Sequence, residues 1–372
     1  MREQFSALRS CCFLNTATLG QVPRCAVDAI NAHLQHRDEL AGADLFDWFD
    51  AVDEVRASVG KLVGCEGSDI AFIPHASQAL SLVFNTIDWK PGDRVVTLES
   101  EFPNHYYFAG NLASRGVQLV EVPLDRFFDA VDDRTRLVTI STVNYSTGLR
   151  APVEEISRFV RERDIFFYLD GTQSVGALKT DLSKIQPSVF AVDAYKWMLT
   201  PQGIGFMYVR PDVREWMQPQ VIGWRSHKAW RDPDNLHHGT PEFKTEAERY
   251  EGGIVNFTLI FALGAVVDLM LELGADAIET RVMELAKKTR DILRAAGGEL
   301  TSNTKPHHDS PIVTARFAGL DASDLSKALR AEGVHVAARK GSLRVSPTFY
   351  NNEPDLEHLS RALMQIQSRL LR

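Results

Sequence analysis

Between residues 69 and 210, short apolar runs alternate with stretches whose apolar residues recur at helical spacing. Runs rich in Val, Ile and Phe at Arg94–Leu98, Gln118–Val122, 137–141, 165–169 and Gly205–Val209 predict strands, and 77–87, 104–114 and 153–163 predict helices. The strand runs are continuously apolar, so both faces of the sheet are expected to be covered. That is the pattern of a mainly parallel sheet between helical layers.

Past Gly252-Gly253 the pattern changes. A helix is expected over 259–273, ending at Gly274, and a second over 276–296, ending at Gly297-Gly298. A shorter unit follows: strand 312–317, helix 322–332, strand 343–346 and helix 354–371. Asp321 is a candidate N-cap and Pro354 a candidate first helical residue. The expected organisation is a large α/β domain over 14–253 and a smaller α+β domain over 254–372, the latter joined by the N-terminal segment 1–13.

Composition narrows the function. The 372 residues are 44% hydrophobic and 24% charged, as in an ordinary globular protein, and the formal net charge is −8. A mildly acidic chain has no electrostatic attraction to phosphate backbones or anionic lipid, so neither nucleic acid nor membrane is an expected partner. Cys11, Cys12, Cys25 and Cys65 form no C-x-x-C pair, which argues for reduced thiols over a zinc site or disulfide framework. The first twenty residues lack the apolar core of a signal peptide, and no run reaches the length of a membrane span. A cytoplasmic enzyme is expected. His237-His238 and His307-His308 are adjacent pairs, which in a regular element do not share a face, so both read as loop residues and no metal site is expected.

Ligands of open parallel sheets bind beyond the carboxyl ends of the strands. Polar residues cluster at those ends: His75, Ala76, Ser77 and Gln78; Asn144 to Gly148; Asp170 to Gln173; and Asp193 to Lys196. Singly, each has a plain structural reading, Ser77 as an N-cap and Asp170-Gly171 as a turn. Jointly they suit pyridoxal-phosphate chemistry. That chemistry needs a lysine for a Schiff base, a carboxylate to keep the pyridine nitrogen protonated, and a helix N-terminus for the phosphate. It also needs a flat side chain over the ring and an arginine for the substrate carboxylate.

Four stretches, FYLDGTQSVGA (167–177), DAYKWMLTPQGIGFMYVR (193–210), RYEGGIVN (249–256) and LRVSPTFYNN (343–352), carry a resemblance. With them the chain resembles the class V aminotransferase family of fold-type I pyridoxal-phosphate enzymes, in the branch of cysteine desulfurases and isopenicillin N epimerase-like proteins. The resemblance covers nearly the whole chain. It implies an amino-acid substrate, pyridoxal 5'-phosphate as cofactor, and a homodimer with shared sites. It also implies roles. Lys196 matches the Schiff-base lysine and Asp170 the partner of the pyridine nitrogen. Gln173 matches the residue bonded to the phenolic oxygen, with Asn144 or Tyr145 near that oxygen. Ala76 and Ser77 match the phosphate turn, Phe102 the ring-stacking position and Arg344 the substrate-carboxylate arginine. Asn15 lies in a stretch similar to the substrate-side N-terminal segment.

The chain departs from the pattern at three places. Asp193 replaces a phosphate-binding serine, and an acid there would repel phosphate. Ile254 replaces a threonine that often reaches the partner subunit's cofactor. The region HVAARKGSLR before Arg344 has no cysteine, which argues against a persulfide-forming desulfurase. Transamination is the leading expectation, with β-elimination at C–S or C–Se and epimerisation as alternatives. Arg225 is a candidate for a second substrate carboxylate or for a surface salt bridge. His105 is expected on a helix surface. The polar segment 225–244 is expected to be a loop over the site.

Overall fold

The computed structural model describes all residues except 233, 235–238, 303–307 and 371–372. The chain opens with strand β1 (Cys12–Phe13) and helices α1 (Arg24–Leu40) and α2 (Leu45–Val63). The alternation then runs β2 (Ile70–Ile73), α3 (Ala76–Thr86), β3 (Arg94–Leu98), α4 (Pro103–Asn111), β4 (Gln118–Val122), α5 (Phe127–Ala130), β5 (Thr135–Ser141) and α6 (Val153–Arg161). It continues through β6 (Phe166–Asp170), α7 (Leu182–Ile185), β7 (Val189–Asp193), β8 (Gly205–Val209) and α8 (Pro211–Arg214). The last part comprises α9 (Phe257–Leu273), α10 (Ala275–Ala295), β9 (Glu299–Leu300), β10 (Val313–Arg316), α11 (Ala322–Ala331), β11 (Val334–His335), β12 (Ala337–Arg339), β13 (Ser342–Val345) and α12 (Glu353–Leu370).

Seven strands form one sheet in the order β2-β8-β7-β6-β5-β3-β4. All neighbours are parallel except β8, which runs antiparallel to both β7 and β2. The reason lies in the connection. A parallel return needs a crossover of a dozen or more residues, usually helical. Segment 194–204, with Pro201 and Gly203, is short and holds no helix, so the chain turns straight back. This leaves segment 194–204 at the carboxyl edge of β7. The residues of β5 to β8 are almost all buried, as continuous apolar runs demand.

A second, antiparallel sheet has the order β12-β13-β10-β9, and β1 pairs in parallel with β11. Cys12 and Leu14 share an apolar cluster with residues of α10, α11, α12 and this sheet. Asp321 caps α11 by accepting from the Ser323 and Asp324 amides. Helix α9 belongs elsewhere. Its buried residues Ile260, Leu263, Val266 and Val267 lie in the cluster of the seven-stranded sheet, and it packs on α1 and α2. We propose that the division between the two units falls near Gly274, between α9 and α10. Among the described residues, no single helix is long and apolar enough to cross a membrane.

Candidate active site

The segment after β7 is gripped from two sides by glycines. Gly20 donates its N–H to Tyr195 O at 2.9 Å, and a Cβ on Gly20 would sit 2.0 Å from Lys196 O. Gly176, at φ 94°, meets Trp197 O on another side, where a Cβ would come within 2.3 Å. Trp197 is fully buried and donates its indole N–H to Gln173 Oε1 at 2.8 Å. The lysine is therefore fixed in its backbone while its side chain projects from the sheet edge.

Lys196 is buried, and its ammonium has no hydrogen-bond or ion-pair partner among the described residues. Its Nζ lies 5.5 Å from the ring centroids of both Phe102 and Tyr195. Burial lowers its pKa, the charges of Asp170 and Asp193 oppose that, and Arg344 and Arg339 reinforce it. Asp170 ends β6 and accepts the Thr172 amide on Oδ1 at 2.8 Å, leaving its other carboxylate oxygen without a hydrogen bond. Asp193 ends β7 and accepts the Ala76 amide at 2.7 Å. Burial and the nearby Asp170 charge push the Asp193 carboxyl up. An acid at the first N–H of α3 is favourable for the helix, which gives Asp193 a physical role.

That contact changes the expected phosphate turn, because the Ala76 N–H is already bonded. Ser77 differs: its Oγ accepts from Asn104 Nδ2 at 2.8 Å, so the hydroxyl proton is free to donate. Gln173 donates to Ala17 O at 3.0 Å besides accepting from Trp197, and one amide hydrogen remains. Asn144 is a turn organiser. Its Oδ1 accepts from the Ser146 and Thr147 amides and the Ser146 hydroxyl, and its Nδ2 donates to Ser100 O. The neighbouring Tyr145 ring stands edge-on to Phe102 at 5.3 Å.

Arg344, only 1% exposed, donates from Nη1 to Tyr145 O at 2.6 Å and from Nη2 to Thr18 Oγ1 at 2.5 Å. Its Nε has no partner. Burial and the neighbouring Arg339 push its pKa down to about 9, with no carboxylate opposing. Thr18 Oγ1 in turn donates to Asn15 Oδ1 at 2.8 Å. Chain 14–16 reaches this place by pairing with Ser346 at the end of the small sheet. The N-terminal segment thus bridges Arg344 and the lysine loop.

Two sequence expectations are corrected. His105 is fully buried, not on a helix surface: its Nδ1 meets Thr139 Oγ1 at 2.6 Å, and its Nε2 faces Ser141 Oγ and the buried Glu101. Its helix position turned it toward β5, beneath the strand ends. Arg225 neither lines the site nor sits at the surface. It is 1% exposed, stacked on Phe49 and Trp230, and paired with Glu248 and Glu251. The described part of segment 225–244 is anchored on α2 by Trp230 against Phe49. His237, His238 and His307 lie outside the described residues; His308 contacts Arg150 O at 2.9 Å. Cys12 contacts Asp355 O, Cys25 contacts Ala265 O, and burial pushes the Cys65 thiol up to about 12. Ile254 is 62% exposed.

Sequence reasoning missed Thr18, Arg339 and the glycine grip. The TATLG and HVAARKGSLR stretches contain these residues, but nothing in their spacing shows the long-range contact between them. The donor set fits pyridoxal phosphate: an unpartnered buried lysine amine, a free carboxylate oxygen at Asp170, a free Ser77 hydroxyl proton and the Phe102 ring beside the lysine. The comparisons agree. The family model Aminotransferase class-V matches residues 12–366. An uncharacterized aminotransferase of Schizosaccharomyces pombe is 26% identical over 85% of this chain and 82% of its own. Isopenicillin N epimerase of Streptomyces clavuligerus is 27% identical over 94% of this chain and 93% of its own. The solved structure of C-DES, a mutant with glycine covalently linked to its PLP cofactor, superposes with a TM-score of 0.90 at 20% identity, covering 98% of this chain and 99% of that one.

Proposed function

Because the chain belongs to the class V aminotransferase family, with the fold-type I α/β architecture and pyridoxal 5'-phosphate as cofactor, we propose that it acts at Cα of an amino-acid substrate as an aminotransferase. The observation that carries this reading is the buried, unpartnered amine of Lys196, which feels the charges of both the Asp170 carboxylate and the Arg344 guanidinium. When bound, the cofactor supplies the electron sink that lets a bond at Cα break heterolytically.

The chain's own residues do the rest. Lys196, its pKa lowered by burial, removes the proton from Cα of the amino donor and later delivers one to Cα of the 2-oxo acid acceptor. The free oxygen of Asp170 holds a proton on the ring nitrogen. Arg344 takes the substrate carboxylate with the donors that Tyr145 O and Thr18 do not use. Phe102 would cover a ring face, the spare Ser77 hydroxyl proton would serve the phosphate, and the remaining amide hydrogen of Gln173 would serve the phenolic oxygen. Segment 15–20 holds the lysine loop in place through the Gly20 N–H donated to Tyr195 O and the Gln173 amide donated to Ala17 O. A homodimer is part of this proposal, supported by the exposed apolar Val221, Ile222 and Ile254.

A second reading is β-elimination without a persulfide. Here no enzyme cysteine would carry sulfur: Cys12, Cys25 and Cys65 have their contacts away from Lys196, and the structural neighbour C-DES is a cystine C–S lyase whose reaction product is cysteine persulfide. Purified, cofactor-loaded protein incubated with an amino-acid panel, with and without a 2-oxo acid, separates the two. Acceptor-dependent amino transfer is expected. Ammonia and pyruvate released without acceptor would establish the lyase instead. Full turnover by Lys196→Ala would remove the basis of both.

A further inference from the structure

Two guanidinium groups converge on one hydroxyl. Arg344 Nη2 and Arg339 Nη2 both donate to Thr18 Oγ1, at 2.5 and 3.3 Å, so they lie within about 6 Å of each other. The hydroxyl is saturated, since it also donates to Asn15. No carboxylate among the described residues pairs with either arginine. Arg339 has only Ala338 O and Thr18 as partners, and Arg344 has only Tyr145 O and Thr18.

The pairing is built in, not incidental. Strands β12 and β13 are joined by Lys340 and Gly341, both at positive φ, the geometry of a two-residue hairpin turn. Ala337 faces Arg344 across the pair, and Arg339 lies two residues from Ala337, so both arginines occupy one face of the sheet. Arg344 is buried and Arg339 half-buried, nearer solvent. Two like charges this close, with no acid between them, are unfavourable unless anions complete the site.

We infer that the substrate is an amino acid with a second acidic group, its α-carboxylate on Arg344 and its distal acid on Arg339. This rests on the proposed reading of Lys196 and Arg344. The separation of the two guanidinium groups suits a diacid of roughly four or five carbons. A neutral side chain of that length would leave Arg339 unpaired.

The test uses holoenzyme and unreactive acids. Calorimetry compares succinate and glutarate with butyrate and pentanoate, on wild type, Arg339→Gln and Arg339→Lys. The diacids are expected to bind wild type about 10- to 100-fold tighter than the monoacids. Arg339→Gln should erase that preference, and Arg339→Lys should keep most of it. In turnover, the loss of kcat/KM in Arg339→Gln should be at least about tenfold larger for aspartate or glutamate than for asparagine or glutamine, and should reside in KM. Equal binding of diacids and monoacids by wild type overturns the inference whatever the variants do. An equal loss of both substrate types in Arg339→Gln overturns it too. Failure of the catalytic reading is separate: it appears as full turnover in Lys196→Ala, and leaves the diacid preference intact.

Discussion

Glu251 links α2, β2 and the glycine segment 252–253 through a buried ion-pair network, and Glu251→Ala should be among the most damaging substitutions outside the active site. Its carboxylate, only 1% exposed, accepts from Arg56 Nη1 at 2.5 Å and Nη2 at 3.4 Å, from the Phe72 amide at 2.8 Å and from Arg225 Nη1 at 3.1 Å. Truncation strips a charge from two buried guanidiniums and an acceptor from a strand-edge amide. Breaking a buried pair by removing one partner costs about 3–5 kcal/mol. Each arginine keeps one other acid, Asp53 for Arg56 and Glu248 for Arg225. The expected loss is therefore about 3–4 kcal/mol, in the lower half of that range. Glu251→Gln retains one acceptor oxygen but sets an amide NH₂ against a guanidinium, and should lose about 2 kcal/mol. Urea denaturation of the cofactor-loaded protein, followed by circular dichroism, gives the difference at constant m-value. Arg126→Ala, which breaks an exposed pair with Asp129, is the control and should leave the midpoint unchanged. A loss below about 1 kcal/mol for Glu251→Ala would show that water reaches the network, and would refute the reasoning.

Four further outcomes are expected. In cofactor-free protein, Lys196 should be acylated at a lower pH than exposed lysines, and Asp170→Asn should lower its titration further; coincident profiles would contradict the electrostatics. Because its folded pKa lies below its unfolded one, the native state binds fewer protons between the two, so stability should rise with pH across that window, and Lys196→Met should lose that slope. Gly20→Ala forces a methyl group against Lys196 O and should cut kcat about 100-fold, while cofactor content, read by absorbance, is retained; unchanged kcat would mean that the grip does not position the lysine. An unreactive carboxylate at about 100 times its Kd should stabilise the protein by about 2.7 kcal/mol, and Arg344→Gln should abolish the shift in thermal melts.

What was legible in the sequence was what local pattern encodes. The buried strands β3, β5, β6 and β8 announced themselves as apolar runs, and the candidate site residues followed the strand ends, because a parallel sheet sends its strand ends to one edge. Helix α1 was invisible for the opposite reason. It buries little beyond Ala26 and His33, so its sequence shows almost no apolar stripe. The assignment of α9 depended on helices α1 and α2 far away in the chain, the burial of Arg225 on Phe49 of α2, and that of His105 on strand β5. A lone polar residue on a helix gives no sign of whether a buried acid awaits it. Asp193 was read as unfit for phosphate, and its bond to the Ala76 amide is a contact between residues 117 positions apart, which spacing does not encode.

The same long-range geometry governs which reaction the site runs. Lysine, aspartate and aromatic ring are common to every chemistry the cofactor supports; what differs is the bond at Cα set perpendicular to the ring, and that follows from how the substrate is held. A substrate fixed by one carboxylate can swivel about it. A substrate fixed by two, on Arg344 and Arg339, cannot, and its Cα–H is then presented to Lys196 in one orientation. On the inference drawn above, Arg339, held on a tight hairpin with its Nη2 tied to the same threonine as Arg344, would supply that second fixed point. Proton abstraction at a held Cα of the donor, with a proton later delivered to Cα of the 2-oxo acid acceptor, is what amino transfer needs. A site selecting a distal acid also disfavours the competing elimination, because a distal carboxylate is a poor leaving group compared with a thiolate. The anion clamp and the transaminase reading therefore support each other through substrate orientation and leaving-group chemistry, with Lys196 and Arg344 common to both and Arg339 added by the clamp.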